Sequence, residues 1–316
     1  MNKKVISGLL VLVMILSLTG CTSKALDAAN QAVDAYNAEA NRFNEKVESY
    51  NSKVDEIDSV VASLTDAIDK AQNSIDSDDS PFDESTLTAL ENAIATASDA
   101  NITVPDKIDT VEAMSVNEEA KKDELESLTN KANEETEKLQ TYAFPDDPEV
   151  PDYSSELAGL EDALADYENS VQAMKQLTAP SDDFVMERLE RVDTITKMAP
   201  VTEDHDPNNR LGKQGGYIGC IYFRDSQVDQ STLSVNCDRE DVVDVGTQGG
   251  GAVEIFNTTE EAEARNMYIA NFDGTFIDPG SHYVYGTVLI RTSEKLTGSQ
   301  QQELTEKILN ALIQVD

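Results

Sequence analysis

Fifteen apolar positions near the N-terminus follow one another in alternating steps of three and four residues. They are Leu26, Ala29, Val33, Tyr36, Ala40, Phe43, Val47, Tyr50, Val54, Ile57, Val61, Leu64, Ile68, Ala71 and Ile75. An average step of 3.5 residues keeps a stripe on one face of an α-helix, so the stretch predicts a coiled-coil-like, heptad-patterned helix. From Ser23 to Ser77 such a helix would reach about 80 Å at ~1.5 Å per residue. A stripe that long must be buried against something.

A seven-residue repeat inside the stripe bears on what covers it: Tyr36-Asn37, Phe43-Asn44 and Tyr50-Asn51. In a parallel homodimer the e and g positions usually supply charge pairs. Here e holds Asn37, Asn44 and Asn51, whereas g holds Glu39, Lys46 and Lys53. That pairing is absent, and an intramolecular bundle is favoured over a homodimer.

Downstream segments offer partners. Asp76 to Ser80 breaks the pattern, and Pro81 suits the first turn of a new helix carrying Leu87, Leu90, Ile94 and Ala97. After a turn at Asn101 to Pro105, a third helix is expected over Asp106 to Tyr142, with Ile108, Val111, Leu125, Leu128, Ala132 and Leu139 inward. Its middle, Ser115 to Asp123, is poor in apolar residues and predicts a kink. Residues 143–153 read as a Pro-rich acidic linker. Residues 154–199 resume the helical pattern with Leu157, Leu160, Leu164, Tyr167, Val171 and Met174, and a last helix from Ser181 carries Phe184, Leu189, Val192 and Ile195.

Charge excludes whole classes of partner. The chain has 24 Lys plus Arg against 61 Asp plus Glu, a formal net charge of -37. Nucleic acid would be repelled, and anionic lipid headgroups need the Lys/Arg clusters this chain lacks. Two His leave little room for His-based acid/base or zinc chemistry.

The first residues supply an address. Lys3 and Lys4 precede an apolar stretch from Val5 to Leu18, the length of a secretory signal core rather than of a membrane-spanning helix. Leu18-Thr19-Gly20-Cys21 follows. In this segment the chain resembles the bacterial lipoproteins, whose lipobox has Leu three before the Cys and a small residue directly before it. The resemblance implies a signal peptide over residues 1–20, cleavage before Cys21 and diacylglycerol on its sulfur. It places the chain on the extracytoplasmic face of the cell membrane, with acyl chains such as palmitate as the anchor. Each buried methylene contributes roughly 0.8 kcal/mol, so two or more chains hold permanently. Loss of Lys3 and Lys4 takes the formal charge from -37 to -39.

After Pro200 the period changes. Tyr217 to Phe223 is a short apolar run of the kind found in buried strands, and further strands are expected at Thr232–Asn236, Val242–Val245, Ala252–Phe256 and His282–Arg291. Thr258-Thr259-Glu260-Glu261 and Thr297-Gly298-Ser299-Gln300 are capping boxes, each opening a helix. Residues 200–316 therefore read as a small α+β domain, an antiparallel or mixed sheet with two helices. The stretches Thr202 to Asn209, Gly212 to Tyr217 and Gly250 to Phe256 resemble a module at the C-terminal end of Gram-positive surface proteins. That likeness implies a fold and no catalytic residue.

Candidate sites are few. Asp204, Asp206 and Asn208 have the alternate spacing of the first ligands of a calcium loop, but Asn209 stands where Gly is expected and Gly215 where the bidentate Glu should be. An Asp/Asn turn is the plainer reading there, and also at Asp76, Asp78 and Asp79. Gly212-Lys213 and Gly249-Gly250-Gly251 do not fit a phosphate loop and read as turns or close approaches. Cys220 and Cys237 in an exported chain form either a disulfide, worth roughly 3 kcal/mol, or two buried thiols. A Cys–His pair with His205 or His282 is the weakest candidate. No G-x-S-x-G, H-E-x-x-H or C-x-x-C occurs, so no enzyme and no cofactor is expected.

Together these features describe a mainly α lipoprotein: an anchor at Cys21, a helical bundle or stalk over residues 21–142 and 154–199, and an α+β head over 200–316. The expected function is non-enzymatic binding or scaffolding, with the head recognising an envelope protein or peptide. A solute-binding lipoprotein and an envelope enzyme or enzyme inhibitor are the alternatives.

Overall fold

The computed structural model describes residues 4–77, 79–233, 240–275 and 277–315, with side chains from Thr22 onward. In chain order the helices and strands are α1 (Lys4–Ile75), α2 (Glu84–Ala100), α3 (Lys122–Gln140), α4 (Ser154–Gln176), α5 (Asp182–Leu189), β1 (Ile195–Pro200), β2 (Gly219–Asp225), α6 (Val242–Val245), β3 (Gly250–Ile255), α7 (Thr259–Ala270), β4 (His282–Tyr285), β5 (Val288–Thr292) and α8 (Gly298–Ile313). Two compact units form, each from two stretches of chain: residues 1–67 with 97–157, and 68–96 with 158–316. Among the described residues no helix is long and apolar enough to cross a membrane.

In the first unit the heptad stripe of α1 is buried within the chain. Ala29, Val33, Tyr36, Ala40, Phe43, Val47, Tyr50, Val54, Ile57 and Leu64 are all buried. Toward its N-terminal end the stripe meets α3: Ala25 and Ala29 cluster with Leu125, and Ala32, Val33, Tyr36 and Ala40 with Ala132 and the flanking Leu128 and Leu139.

The expected third helix over Asp106 to Tyr142 is only half present. Helix α3 starts at Lys122, and residues 101–116 are extended. The sequence from Asn101 to Val116 is rich in β-branched residues around Pro105, all poor helix formers. What holds it straight is the asparagine repeat. Asn37 Nδ2 donates to Met114 O at 2.9 Å and its Oδ1 accepts from Met114 N at 2.8 Å. Asn44 makes the same pair with Val111, both at 2.9 Å. Asn51 makes it with Ile108, at 2.8 and 3.0 Å.

The two periods match. One heptad of α-helix rises about 10.5 Å, and three residues of extended chain span about 9–10 Å. The segment therefore runs antiparallel to α1, and every third residue presents its backbone to the next asparagine. Tyr36 Oη adds a bond to Glu112 O at 2.9 Å.

The stretch expected to be a linker also packs on α1. Phe43 meets Tyr142 and Phe144 at ring-centroid distances of 5.1 and 5.2 Å, and Lys53 pairs with Asp147 at 2.7 Å. Tyr153 is buried, and its hydroxyl accepts from Ile102 N.

In the second unit a five-stranded antiparallel sheet has the order β1-β2-β3-β5-β4. Side chains alternate across it as the pleat requires. Ile221, Phe223, Val253, Ile255, Val288 and Ile290 face one core with Val185 and Leu189 of α5 and Leu304, Ile308 and Leu312 of α8. Cys220, Tyr222, Ala252 and Leu289 face the other, with Val242 and Val243 of α6 and Ala262 and Ile269 of α7. The loop before α2 binds α4: Tyr167 Oη donates to Asp79 O at 3.0 Å, and Lys175 pairs with Asp79 at 2.7 Å.

The mainly α reading with a small α+β part holds, with corrections inside it. Val242–Val245, expected as a strand, is helix α6: Asp241 Oδ1 accepts from the N–H groups of Val243 and Asp244, and this cap outweighs the strand preference of three valines. Of the strand expected at Thr232–Asn236, Thr232 closes a 3-10 turn from Gln230, and 234–236 lie outside the described residues. Ile195, expected in a helix, opens β1, because α5 ends at Leu189. His282–Arg291 is two strands joined at Gly286 (φ +58°), where a Cβ would lie 2.6 Å from Leu177 O.

Candidate functional site

The α7 face of the sheet carries an arginine-lined cleft of about 680 Å³, within the range of small-molecule sites. Its floor comes from the strands. Glu254 stands on β3 in an otherwise apolar run, and strand alternation points it at α7 rather than at the main core. It is completely buried. Arg265 of α7 donates to it from Nε at 2.9 Å and Nη2 at 3.4 Å, and Arg291 of β5 donates from Nη1 at 2.8 Å. Burial alone would push the Glu254 carboxyl up, but the two guanidinium groups more than offset this and hold it below the ordinary glutamate range. For Arg265 burial likewise opposes the charge, and Glu254 outweighs it.

The walls come from α7 and two loops. Tyr268 has the Arg265 guanidinium 5.6 Å from its ring centroid and that of Arg210 at 5.7 Å. Arg210 is placed by the loop before β2, which Asp206 organises. The Asp206 carboxylate accepts from the backbone N–H groups of Asn208 (3.0 Å), Arg210 (2.5 Å) and Leu211 (2.7 Å), and from Tyr217 Oη (2.5 Å). Burial pushes this carboxyl up, and those donors pull it below its usual range. Asn208 Nδ2 donates to Tyr222 Oη at 2.8 Å. The exposed Ile277 and the Lys295–Glu294 pair complete the rim.

The structure accounts for the Asp204, Asp206, Asn208 spacing through these bonds: Asp206 and Asn208 are spent on the loop, and Asp204 is exposed. A different set comes together beside the cleft. His205 Nε2 lies 2.8 Å from Asp244 Oδ1, and Nδ1 lies 3.8 Å from Asp241 Oδ2. The three offer ligand atoms within 4.8 Å of one another, a geometry that can hold a cation, yet Asp241 also caps α6. The Asp244 hydrogen bond raises the His205 pKa against the opposing effect of burial, with the charges of Asp241 and Asp244 adding to the rise.

Cys220 is a buried free thiol on β2, with its pKa pushed well up by burial and by Glu254. That is the reverse of what a nucleophile needs. Cys237 lies outside the described residues, as do the side chain of Cys21 and the whole of Asp78. His282 is bonded to Asn266 Oδ1 at 2.5 Å and to Asp273 Oδ1 at 3.0 Å. Gly212 forms a turn at φ +66°, and Gly250 and Gly251 sit where a Cβ would strike the backbone of neighbouring strands.

Sequence reasoning missed the cleft residues Arg210, Arg265, Tyr268 and Arg291, and Glu254 buried beneath them. One signal was available: Glu254 and Arg291 each interrupt an apolar strand, and a charge there requires a partner. No protein-family model, curated protein or solved structure matches the chain.

Proposed function

We propose that this chain is a lipid-anchored binding protein of the bacterial envelope, whose recognition element is the arginine-lined cleft of its second unit. The anchor is diacylglycerol on Cys21, on the reading of Leu18-Thr19-Gly20-Cys21 as a lipobox. The heptad-patterned helical part stands between anchor and cleft in the chain and acts as scaffold, in the manner of a coiled coil closed on its own chain rather than on a second copy. The role is binding and not catalysis, and the partner is an envelope protein, peptide or small molecule of negative charge.

One observation carries this reading. Two guanidinium groups with side chains about nine-tenths buried share one fully buried carboxylate, so this three-residue cluster beneath the cleft has more cationic than anionic groups. A buried charge without a counter-ion is costly, and proteins keep such a charge mainly where they use it. In a chain of net charge -37 it is the reverse of the background.

The test uses the full-length tagged protein in cells. Metabolic labelling with palmitate marks the wild type, and Cys21→Ala abolishes both label and membrane retention. Capture from detergent-solubilised envelopes with the wild type and with Arg210→Glu then probes the cleft. Loss of a specific partner in the variant is the expected result. Identical capture by both proteins would remove the cleft from the function.

A further inference from the structure

The cleft's own chemistry narrows what it takes. The last 116 residues contain eight Lys plus Arg, and four of them, Arg210, Arg265, Arg291 and Lys295, line this one cleft. The nearby acids are already engaged. Glu294 pairs with Lys295 at 3.2 Å, Asp244 with His205, and Asp278 accepts from the N–H groups of Gly274 and Gly280.

The arginines are not all engaged. Arg210 has no carboxylate partner among the described residues and only stacks near Tyr268. Arg291, nine-tenths buried, spends Nη1 on Glu254, while its Nε has no hydrogen-bond partner among the described residues. The Nε–Nη2 side of a guanidinium is one of the edges that fits the two oxygens of a carboxylate.

Resting on the reading of this cleft as the recognition site, we propose that its ligand is an organic carboxylate with an apolar or aromatic body. Arg210 and the unpartnered edge of Arg291 take its oxygens, and Tyr268, Phe272 and Ile277 contact the rest. A single carboxylate matches the donors that Arg210 and Arg291 leave without a carboxylate or hydrogen-bond partner. Phosphate would bring a second negative charge into an already strongly acidic chain. A free organic acid and the C-terminus of a peptide share this chemistry.

The test is calorimetric titration of the full chain in detergent with N-acetylphenylalanine, its C-terminal amide, the peptide Ala-Ala-Phe, its amide, and inorganic phosphate. Saturable binding of an acid is expected, weakened roughly tenfold or more by amidation, the loss of a charge-assisted contact. Preference between the two acids identifies the source as a small molecule or a chain end. Arg210→Gln, at a partly exposed loop position, should weaken binding by a similar factor. Arg291→Lys, which keeps the charge and loses the fork, should do so as well.

Equal binding of acid and amide, binding of phosphate alone, binding unaffected by Arg210→Gln, or no binding of any acid would each overturn the carboxylate assignment. The wider reading fails separately, when Arg210→Glu leaves envelope capture unchanged.

Discussion

Replacing Asn44 with Ala removes two hydrogen bonds at one rung of the ladder that holds residues 101–116 to α1, those to Val111 N and Val111 O, both at 2.9 Å. Each such bond contributes about 1 kcal/mol net, because water competes for the same groups. Alanine returns roughly 0.6 kcal/mol in helix propensity at a mid-helix position. The balance is a local loss of about 1–2 kcal/mol, which corresponds to roughly a tenfold rise in the exchange rate of the Val111 amide if the segment opens locally.

Hydrogen exchange followed amide by amide reads this directly. Ile108, Val111 and Met114 donate to the ladder, so their amides should be protected in the wild type while their neighbours exchange quickly. Asn41→Ala, at an exposed position of α1 outside the ladder, should leave Val111 unchanged. Unchanged Val111 exchange in Asn44→Ala, or peptide-like exchange of all three amides in the wild type, would refute the ladder as the force that straightens this segment.

Further outcomes follow from the second unit. Glu254→Gln leaves two buried guanidinium groups without their carboxylate and should cost about 3–5 kcal/mol in urea unfolding; a loss below about 1 kcal/mol would contradict the buried triad. Because Arg291 and Arg265 hold the Glu254 pKa below the ordinary 4.5 against the effect of burial, its stabilisation is complete above that value. It is lost as pH falls through the lower folded value, so the gap between wild type and Glu254→Gln should close in acid. The His205 pKa, raised mainly by Asp244, should lie above 6.5 by NMR titration and fall toward it in Asp244→Asn. The stabilisation from that pair is present below 6.5 and fades as pH rises through the folded value. Gly251→Ala would place a methyl 2.2 Å from Arg291 O and 2.4 Å from the Phe223 ring, and should destabilise by about 1–3 kcal/mol where Gly298→Ala, with open space around it, does not.

The heptad spacing of α1 was fully legible, because a stripe of apolar side chains has one period and one meaning. Its partner was not. The spacing of three in Ile108, Val111 and Met114 suits a helix face and an extended chain of three residues per turn equally, and only the β-branched content of Asn101 to Val116 separates them. Asn37, Asn44 and Asn51 are informative in themselves, since three amides at one heptad position cannot be core. Read against a second helix they only exclude a dimer, whereas against an extended segment they are its docking groups. Val242 to Val245 shows the opposite limit: four residues are too few for a period, and the Asp241 cap decides. The cleft was hidden because its charges come from a loop, two strands and a helix far apart in sequence. Only Glu254 and Arg291, out of place in apolar strands, hinted that they meet.

The most direct test of recognition at the cleft is site-specific photo-crosslinking in living cells. A photoreactive residue replaces either Ile277, half-exposed on the rim, or Glu48, exposed on α1. A discrete adduct at position 277, absent from position 48 and lost when Arg210→Gln is added, is the result expected of a cleft that binds an anionic partner. An adduct at position 48 alone, or one at 277 indifferent to Arg210, would transfer recognition to the helical unit and contradict the account.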